Sequence, residues 1–145
     1  MSGMSQTQRP SARVKSAKNS SLSDSFYRDI FENAVDGIFQ STPAGRYINV
    51  NPAMARLYGY DSPEDMLASV TDIAHQIYAD PQMRLLFKQQ LKKNGRVEGF
   101  EACNLHKDGS SFWTSTSARR VQDSRGKLLY YEGFVKDITE HKQAE

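Results

Sequence analysis

Toward its C-terminus the chain carries three consecutive runs rich in aromatic, Val and Thr residues, at 97–105, 111–122 and 128–138. Lys107-Asp108-Gly109 and Asp123-Ser124-Arg125-Gly126 separate them. Both are strong turn signals, because Asp side chains bond nearby backbone and Gly reaches positive φ without strain. Strand-forming runs of that length, joined by turns too short for a crossover helix, fold back beside one another. This part of the chain is therefore expected to be an antiparallel meander.

The residues before it have a different rhythm. Phe26, Tyr27, Ile30, Phe31 and Ala34 recur at helical spacing behind the capping candidates Ser23, Asp24 and Ser25, which predicts a short amphipathic helix. Asp36-Gly37 breaks that pattern. Ile38-Phe39-Gln40-Ser41, the turn Pro43-Ala44-Gly45-Arg46 and Tyr47-Ile48-Asn49-Val50 then read as a hairpin. A capping residue followed by Pro opens a helix three times, at Asn51-Pro52, Ser62-Pro63 and Asp80-Pro81, since the side chain accepts a free amide and the ring presets helical φ. Gly59 ends the first of these, the second runs towards Ala68, and Asn94-Gly95 ends the third. In the third, Met83, Leu86, Phe87 and Leu91 form the expected apolar stripe, and Thr71-Asp72-Ile73 is expected to cap a single turn before it. The order strand, strand, short helices, three strands gives an α+β domain with one five-stranded antiparallel sheet and short helices packed on one face.

Length and charge narrow the function. The 145 residues suffice for one domain and exclude a large multi-domain enzyme. The formal charge is +2, but Arg9, Arg13, Lys15 and Lys18 against Asp24 give the first 25 residues +3, leaving −1 for the rest. Without a clustered basic face, binding to nucleic acid is not expected. Cys103 is the only cysteine, which excludes an intramolecular disulfide and a zinc site built from several thiolates. No apolar run approaches the roughly 20 residues that span a bilayer, and the basic N-terminus is followed by Ser and Asn rather than by an apolar signal-peptide segment. The chain reads as cytoplasmic, or as the cytoplasmic piece of something longer. Residues 1–22, Ser-rich and basic, read as a disordered leader.

Five motifs in order resemble the PAS domain with its C-terminal PAC segment: Asp36-Gly37-Ile38-Phe39, Arg46-Tyr47-Ile48-Asn49-Val50-Asn51-Pro52-Ala53, Leu57-Tyr58-Gly59-Tyr60, Lys107-Asp108-Gly109-Ser110 and Gly133-Phe134-Val135-Lys136-Asp137-Ile138-Thr139. The resemblance runs from about Phe26 to Thr139. It implies a sheet roofed by helices around a cavity able to hold a cofactor or small ligand. It also implies a sensory or dimerisation module whose output passes through the helix after the last strand to a histidine kinase, a diguanylate cyclase or another effector. The output positions match Asp137, Ile138 and Thr139. Thr139 is placed to cap the new helix, and Asp137 to hold the strand end through a base or a backbone amide. The organisation read this way is a leader at 1–22, a PAS/PAC sensor domain at 23–139 and the start of a signalling helix at 140–145. The chain looks like a module cut from a longer protein, a free-standing domain being the alternative.

The resemblance also tests cofactors. Members that bind haem use a His on the long helix before the third strand, and none lies between Pro81 and Lys93, while His75 comes several residues too early. The flavin-binding light sensors need a reactive Cys on a helix after the hairpin, and Cys103 sits in the third strand instead. Both are argued against, and the cofactor, if any, is unknown. Cys103 and His106, three apart in a strand, face opposite ways and make no nucleophile pair; a small hydrolase using Cys103 or His75 lacks base, nucleophile and orienting group together. Non-catalytic action is expected.

Residues placed at the cavity by period and resemblance are Phe39, Asn49, Tyr58, Phe87, Cys103, Trp113 and Phe134, with Asn49, Tyr58 and Trp113 as polar handles. Two modes of action follow. In the first, a small molecule or a change at the dimer surface shifts the sheet against its helices and reaches the effector through Asp137 and Thr139. In the second, the cavity is filled by its own side chains and the domain only forms a homodimer through Phe26, Tyr27, Ile30 and Phe31.

Overall fold

A computed structural model of the chain describes the backbone of residues 13–145 and the side chains of residues 23–145. Helix α1 (Arg13–Asn33) is one compact unit and residues 34–145 form another. The predicted first helix thus starts ten residues before Ser23, and residues 13–22 of the expected leader are helical; residues 1–12 lie outside the described residues. Lys15, Ala17, Lys18 and Leu22 are adequate helix formers, and extending an existing helix fixes less chain per hydrogen bond than starting one.

The second unit runs β1 (Gly37–Ser41), β2 (Tyr47–Val50), α2 (Pro52–Tyr58), α3 (Pro63–Ser69), α4 (Ile73–Gln76), α5 (Pro81–Asn94), β3 (Arg96–Leu105), β4 (Ser111–Gln122), β5 (Leu128–Asp137) and α6 (Thr139–Ala144). Asn51, Ser62 and Asp80 cap their helices by accepting from the amides of Met54, Asp65 and Gln82, each with Pro in the first turn. Gly59 and Gly95 end α2 and α5 in the left-handed conformation, with φ of 82° and 79°. At α4 the capping work falls elsewhere. Gln76 Oε1 accepts from the amides of Thr71 and Asp72, and Asp72 turns its carboxylate to His75 Nδ1 at 2.8 Å.

The five strands pair antiparallel in the order β2-β1-β5-β4-β3. β3, β4 and β5 are the expected meander, and β5 returns to lie beside β1. Asn51 fastens the start of the fold: its Oδ1 accepts from Ile38 N at 2.9 Å and Met54 N at 2.9 Å, and its Nδ2 donates to Asp36 O at 3.1 Å. Gly133 sits where β4 and β5 approach most tightly. A Cβ there would lie 2.1 Å from Ser117 O, so no larger residue fits.

One face of the sheet is buried under α2 to α5. Phe39, Val97, Phe100, Ala102, Asn104, Phe112, Thr114, Thr116, Ala118, Tyr131 and Val135 point into it and meet Met54, Tyr58, Met66, Ile73, Ile77, Phe87 and Leu91. Each large apolar side chain buried there contributes about 1.5–3 kcal/mol of transfer free energy. The expected stripe of α5 is corrected in one position. The residues that α5 buries are Arg84, Phe87 and Leu91, at i, i+3 and i+7, while Leu86 is 41% exposed. The opposite face of the sheet carries a polar ladder across four strands. Asn49 donates to Gln40 at 2.7 Å, Gln40 to Glu132 at 3.3 Å, and Arg119 Nε to Glu132 at 2.8 Å.

Candidate functional site

The helices leave a small cavity of about 20 Å³ over the buried face of the sheet. That is room for about one water molecule. Phe39, Met54, Ile73, Ile77, Phe87 and Val135 give it apolar walls, and Tyr47, Tyr58, Tyr78, Arg84, Asn104 and Thr116 bring polar atoms to it. α2 delivers Tyr58 because Gly59 turns the chain immediately after it, and α5 delivers Arg84 and Phe87 from one side of one helical turn.

The Tyr58 hydroxyl donates to Asn104 Oδ1 at 2.5 Å and is also hydrogen-bonded to the Thr114 side chain. Burial pushes the hydroxyls of Tyr47, Tyr58 and Tyr78 upward; neighbouring tyrosines add to this at Tyr47 and Tyr58, and Arg84 opposes it at Tyr47 and Tyr78. All three remain neutral donors throughout the physiological range. Arg84 is the one charged side chain that is buried among the described residues, at 5% exposure. Its guanidinium donates to Thr42 O at 3.4 Å, bonds the Tyr78 hydroxyl, and lies 5.9 Å from the ring centroids of Phe87 and Tyr131.

Of the seven residues expected at the cavity, Phe39, Tyr58 and Phe87 line it. Asn49, Cys103, Trp113 and Phe134 are not among the residues that line it. Asn49 belongs to the polar ladder, Trp113 is 36% exposed and Phe134 41%, and Cys103 pairs in register with Trp113 on that same side. The reason is strand parity, since neighbouring residues point to opposite faces. Arg84, Tyr47, Tyr78 and Asn104 were the functional candidates that pattern reading missed. For Arg84 the available signal was its position three and seven residues before Phe87 and Leu91, on the same side of α5.

The residues expected to carry the output are held to the sheet, with one change in which side chain caps the helix. Asp137 Oδ1 accepts from Thr139 N at 2.9 Å, so Asp137 fastens the helix start. Thr139 Oγ1 does not cap α6; it accepts from Trp113 N at 2.9 Å, and Ile138 N donates to Trp113 O at 2.9 Å. One turn on, Lys142 Nζ pairs with Glu101 at 3.0 Å and lies 4.9 Å above the Trp113 ring. α6 is thereby tied to β3 and β4 by side chains of the outer face. In α1, Phe26, Tyr27 and Ile30 are exposed, at 62%, 66% and 49%, and Phe31 is half-buried. Among the described residues no group of three or more His, Cys, Asp or Glu could hold a metal ion, and no helix is long and apolar enough to cross a membrane.

Comparisons with known proteins agree with this architecture. The sensor histidine kinase TmoS of Ectopseudomonas mendocina is 26% identical over 127 residues, and the methanogenesis regulatory histidine kinase FilI of Methanothrix harundinacea is 28% identical over 123 residues. Each alignment covers 85% of this chain but only 12% and 14% of those proteins, so the chain spans a small part of the curated relatives it matches. The crystal structure of a PAS domain from Colwellia psychrerythraea superposes with a TM-score of 0.68 at 21% identity, over 80% of this chain and 97% of that one. The family profile described as PAS domain matches residues 35–140, which take in the whole sheet, its helices and the start of α6, and the chain belongs to the PAS domain family.

Proposed function

We propose that this domain is the sensory input of a signalling protein, in which a ligand or a change at a dimer surface alters how the sheet packs against its helices. The alteration passes along β4 and β5 into α6 and on to an effector. A histidine kinase is the effector class favoured by the two curated relatives; a diguanylate cyclase is the other class that the PAS resemblance implies. The observation that carries this reading is the double fastening at the end of the sheet. The β4 residue Trp113 bonds Ile138 and Thr139 on its backbone, and the next residue, Thr114, points to the buried face and meets Tyr58. Neighbouring residues of one strand thus touch the cavity wall and the output helix. Signalling of this kind requires unequal affinity for two states.

The test fuses the domain upstream of a histidine kinase and follows autophosphorylation. Asp137→Ala removes the acceptor for the Thr139 amide and is expected to leave the sheet folded while weakening regulation of the kinase. A variant that regulates like the parent would sink the transmission route. A second reading, homodimerisation without a ligand, is favoured by the small cavity and by the exposed Phe26, Tyr27 and Ile30 of α1. Analytical ultracentrifugation with native mass spectrometry separates the two. A dimer carrying no co-purifying mass supports the second reading, and a retained small molecule supports the first.

A further inference from the structure

Arg84 poses an energetic problem that the fold leaves unsolved. A buried cation is stable only when paired or thoroughly hydrogen-bonded, because its desolvation costs several kcal/mol. Among the described residues no carboxylate lies within 4 Å of it. A long hydrogen bond, one tyrosine hydroxyl and two aromatic rings at 5.9 Å offset part of that cost only. The surroundings add positive charge. Lys88, one turn further along α5, donates to Pro43 O at 2.8 Å and has no carboxylate partner either; burial first and the charge of Arg84 second lower its pKa.

A second, independent feature lies beneath. Ser41 is fully buried, and its Oγ has no hydrogen-bond partner. It stands in register between Tyr47 and Tyr131 across β2, β1 and β5, on the face that Arg84 covers, and precedes the Thr42 whose carbonyl Arg84 meets. Ser41 lies outside the cavity lining, yet its hydroxyl, without a partner, and the Arg84 guanidinium, with one long bond and one tyrosine hydroxyl, are two groups of the same face with hydrogen-bonding capacity left over.

We propose that the cavity receives a short aliphatic monocarboxylate, its carboxylate gripped by the Arg84 fork and by the hydroxyls around it, its alkyl end against Phe39, Ile73, Phe87 and Val135. This rests on the sensory reading and names the ligand class of that site. A planar, singly charged carboxylate matches one guanidinium through two parallel hydrogen bonds. A phosphate would bring more charge than one buried cation balances and more oxygens than these donors satisfy. The cavity as it stands holds about one water, so a carboxylate enters only if side chains such as Met54 or Phe87 move, and the displacement grows with each carbon of the tail.

The experiment titrates the full chain with sodium formate, acetate, propionate and butyrate at constant ionic strength, alongside acetamide, propionamide, butanol and benzene. Melting midpoints and amide shifts of Thr42, Trp113 and Thr139 are followed. Acetate or propionate is expected to raise the midpoint saturably at millimolar concentration, the matched amide to do at least tenfold less, and Arg84→Met and Arg84→Gln to lose the effect. The acid-to-amide comparison needs no variant, so it survives a folding defect in either. Equal effects of acid and amide, or equal shifts in parent and both variants, overturn the carboxylate assignment. Binding of butanol or benzene without the acids overturns it too but leaves a ligand sensor standing. No binding by any probe overturns the carboxylate assignment, and the sensory reading is then decided by the co-purification test above.

Discussion

The hydrogen bond between Tyr58 and Asn104 is buried at both ends, with exposures of 1% and 3%, and it fixes α2 onto β3 across the cavity. Tyr58→Phe removes the hydroxyl with little change in volume and leaves Asn104 Oδ1 without that donor. A buried group so orphaned costs about 1–3 kcal/mol, against about 1 kcal/mol net for an intact neutral hydrogen bond. Because Tyr58 also meets Thr114, the expected loss is about 2 kcal/mol, or roughly 8 °C in melting midpoint for a domain of this size. Asn104→Leu takes away the acceptor at Oδ1 but leaves the tyrosine hydroxyl its Thr114 partner, and is expected to cost about 1–2 kcal/mol. The decisive measurement is the double variant. With both partners replaced by apolar groups no orphan remains, so it should lose about as much as one single variant rather than the sum of two. Urea unfolding followed by Trp113, the only tryptophan, reports the sheet directly, with circular dichroism testing whether both probes unfold together. Additivity of the two losses within about 0.5 kcal/mol would refute the pairing argument.

Two further outcomes follow from the packing and charge of the same unit. Gly133→Ala places a Cβ 2.1 Å from Ser117 O and 2.8 Å from Ala118 Cα; since these are backbone atoms, the pairing of β4 with β5 must yield, and a loss of about 3 kcal/mol or more is expected in the same unfolding assay. A variant melting within about 2 °C of the parent would contradict it. Asp65 is held below the ordinary carboxylate range by the Asp61 amide first and by Lys107 next, and Lys107 is raised in turn by Asp65. The stability that Asp65 contributes is present above the unfolded pKa and is lost as pH falls through the lower folded one; that of Lys107 persists until pH rises through its elevated folded value. Stability should therefore change little between about pH 5 and 9 and decline below about pH 4, and Asp65→Asn should make that acid decline shallower. An acid limb identical in parent and variant would argue against a role for the Asp65–Lys107 pair.

How much of this was legible in the sequence differs between elements. Strands β4 and β5 and helices α2 and α5 follow from turn residues and caps within one or two positions, because those signals are local. The cavity did not follow as readily, because it depends on which way each strand residue faces. In β3 the alternation that starts inward at Val97 would send Cys103 inward as well. A bulge at Glu98-Gly99 shifts the register, with Gly99 at a φ of 66°, so that Phe100, Ala102 and Asn104 face the helices instead. Glycine inside a strand was the available sign of that bulge. In β4 and β5 the adjacent pairs Phe112-Trp113 and Phe134-Val135 are apolar at both positions, so hydrophobicity alone cannot set parity; pairing across strands does. Arg84 escaped for the opposite reason. A charged residue is placed outside by default, and only the positions of Phe87 and Leu91 on the same side of α5 place it within.

The parity that defeated pattern reading also underlies the proposed route of transmission. In a strand, adjacent side chains are separated by the thickness of the sheet yet joined by one rigid peptide, so a displacement felt at Thr114 must appear at Trp113. Thr114 answers to Tyr58 and hence to α2; Trp113 answers to Thr139 and Lys142 and hence to α6. An outer-face tryptophan therefore has a purpose that a ligand contact would not give it. Were the residue inside the cavity, its backbone would still bond Ile138 and Thr139, but its ring could not lie beneath the Lys142 ammonium, and the Lys142–Glu101 pair alone would steady the helix. Exposed ion pairs of that kind contribute about 0–1 kcal/mol. A cation over an indole face adds a comparable amount while fixing direction, so the side-chain contacts of the first turn of α6 with the sheet are specific in geometry and modest in energy.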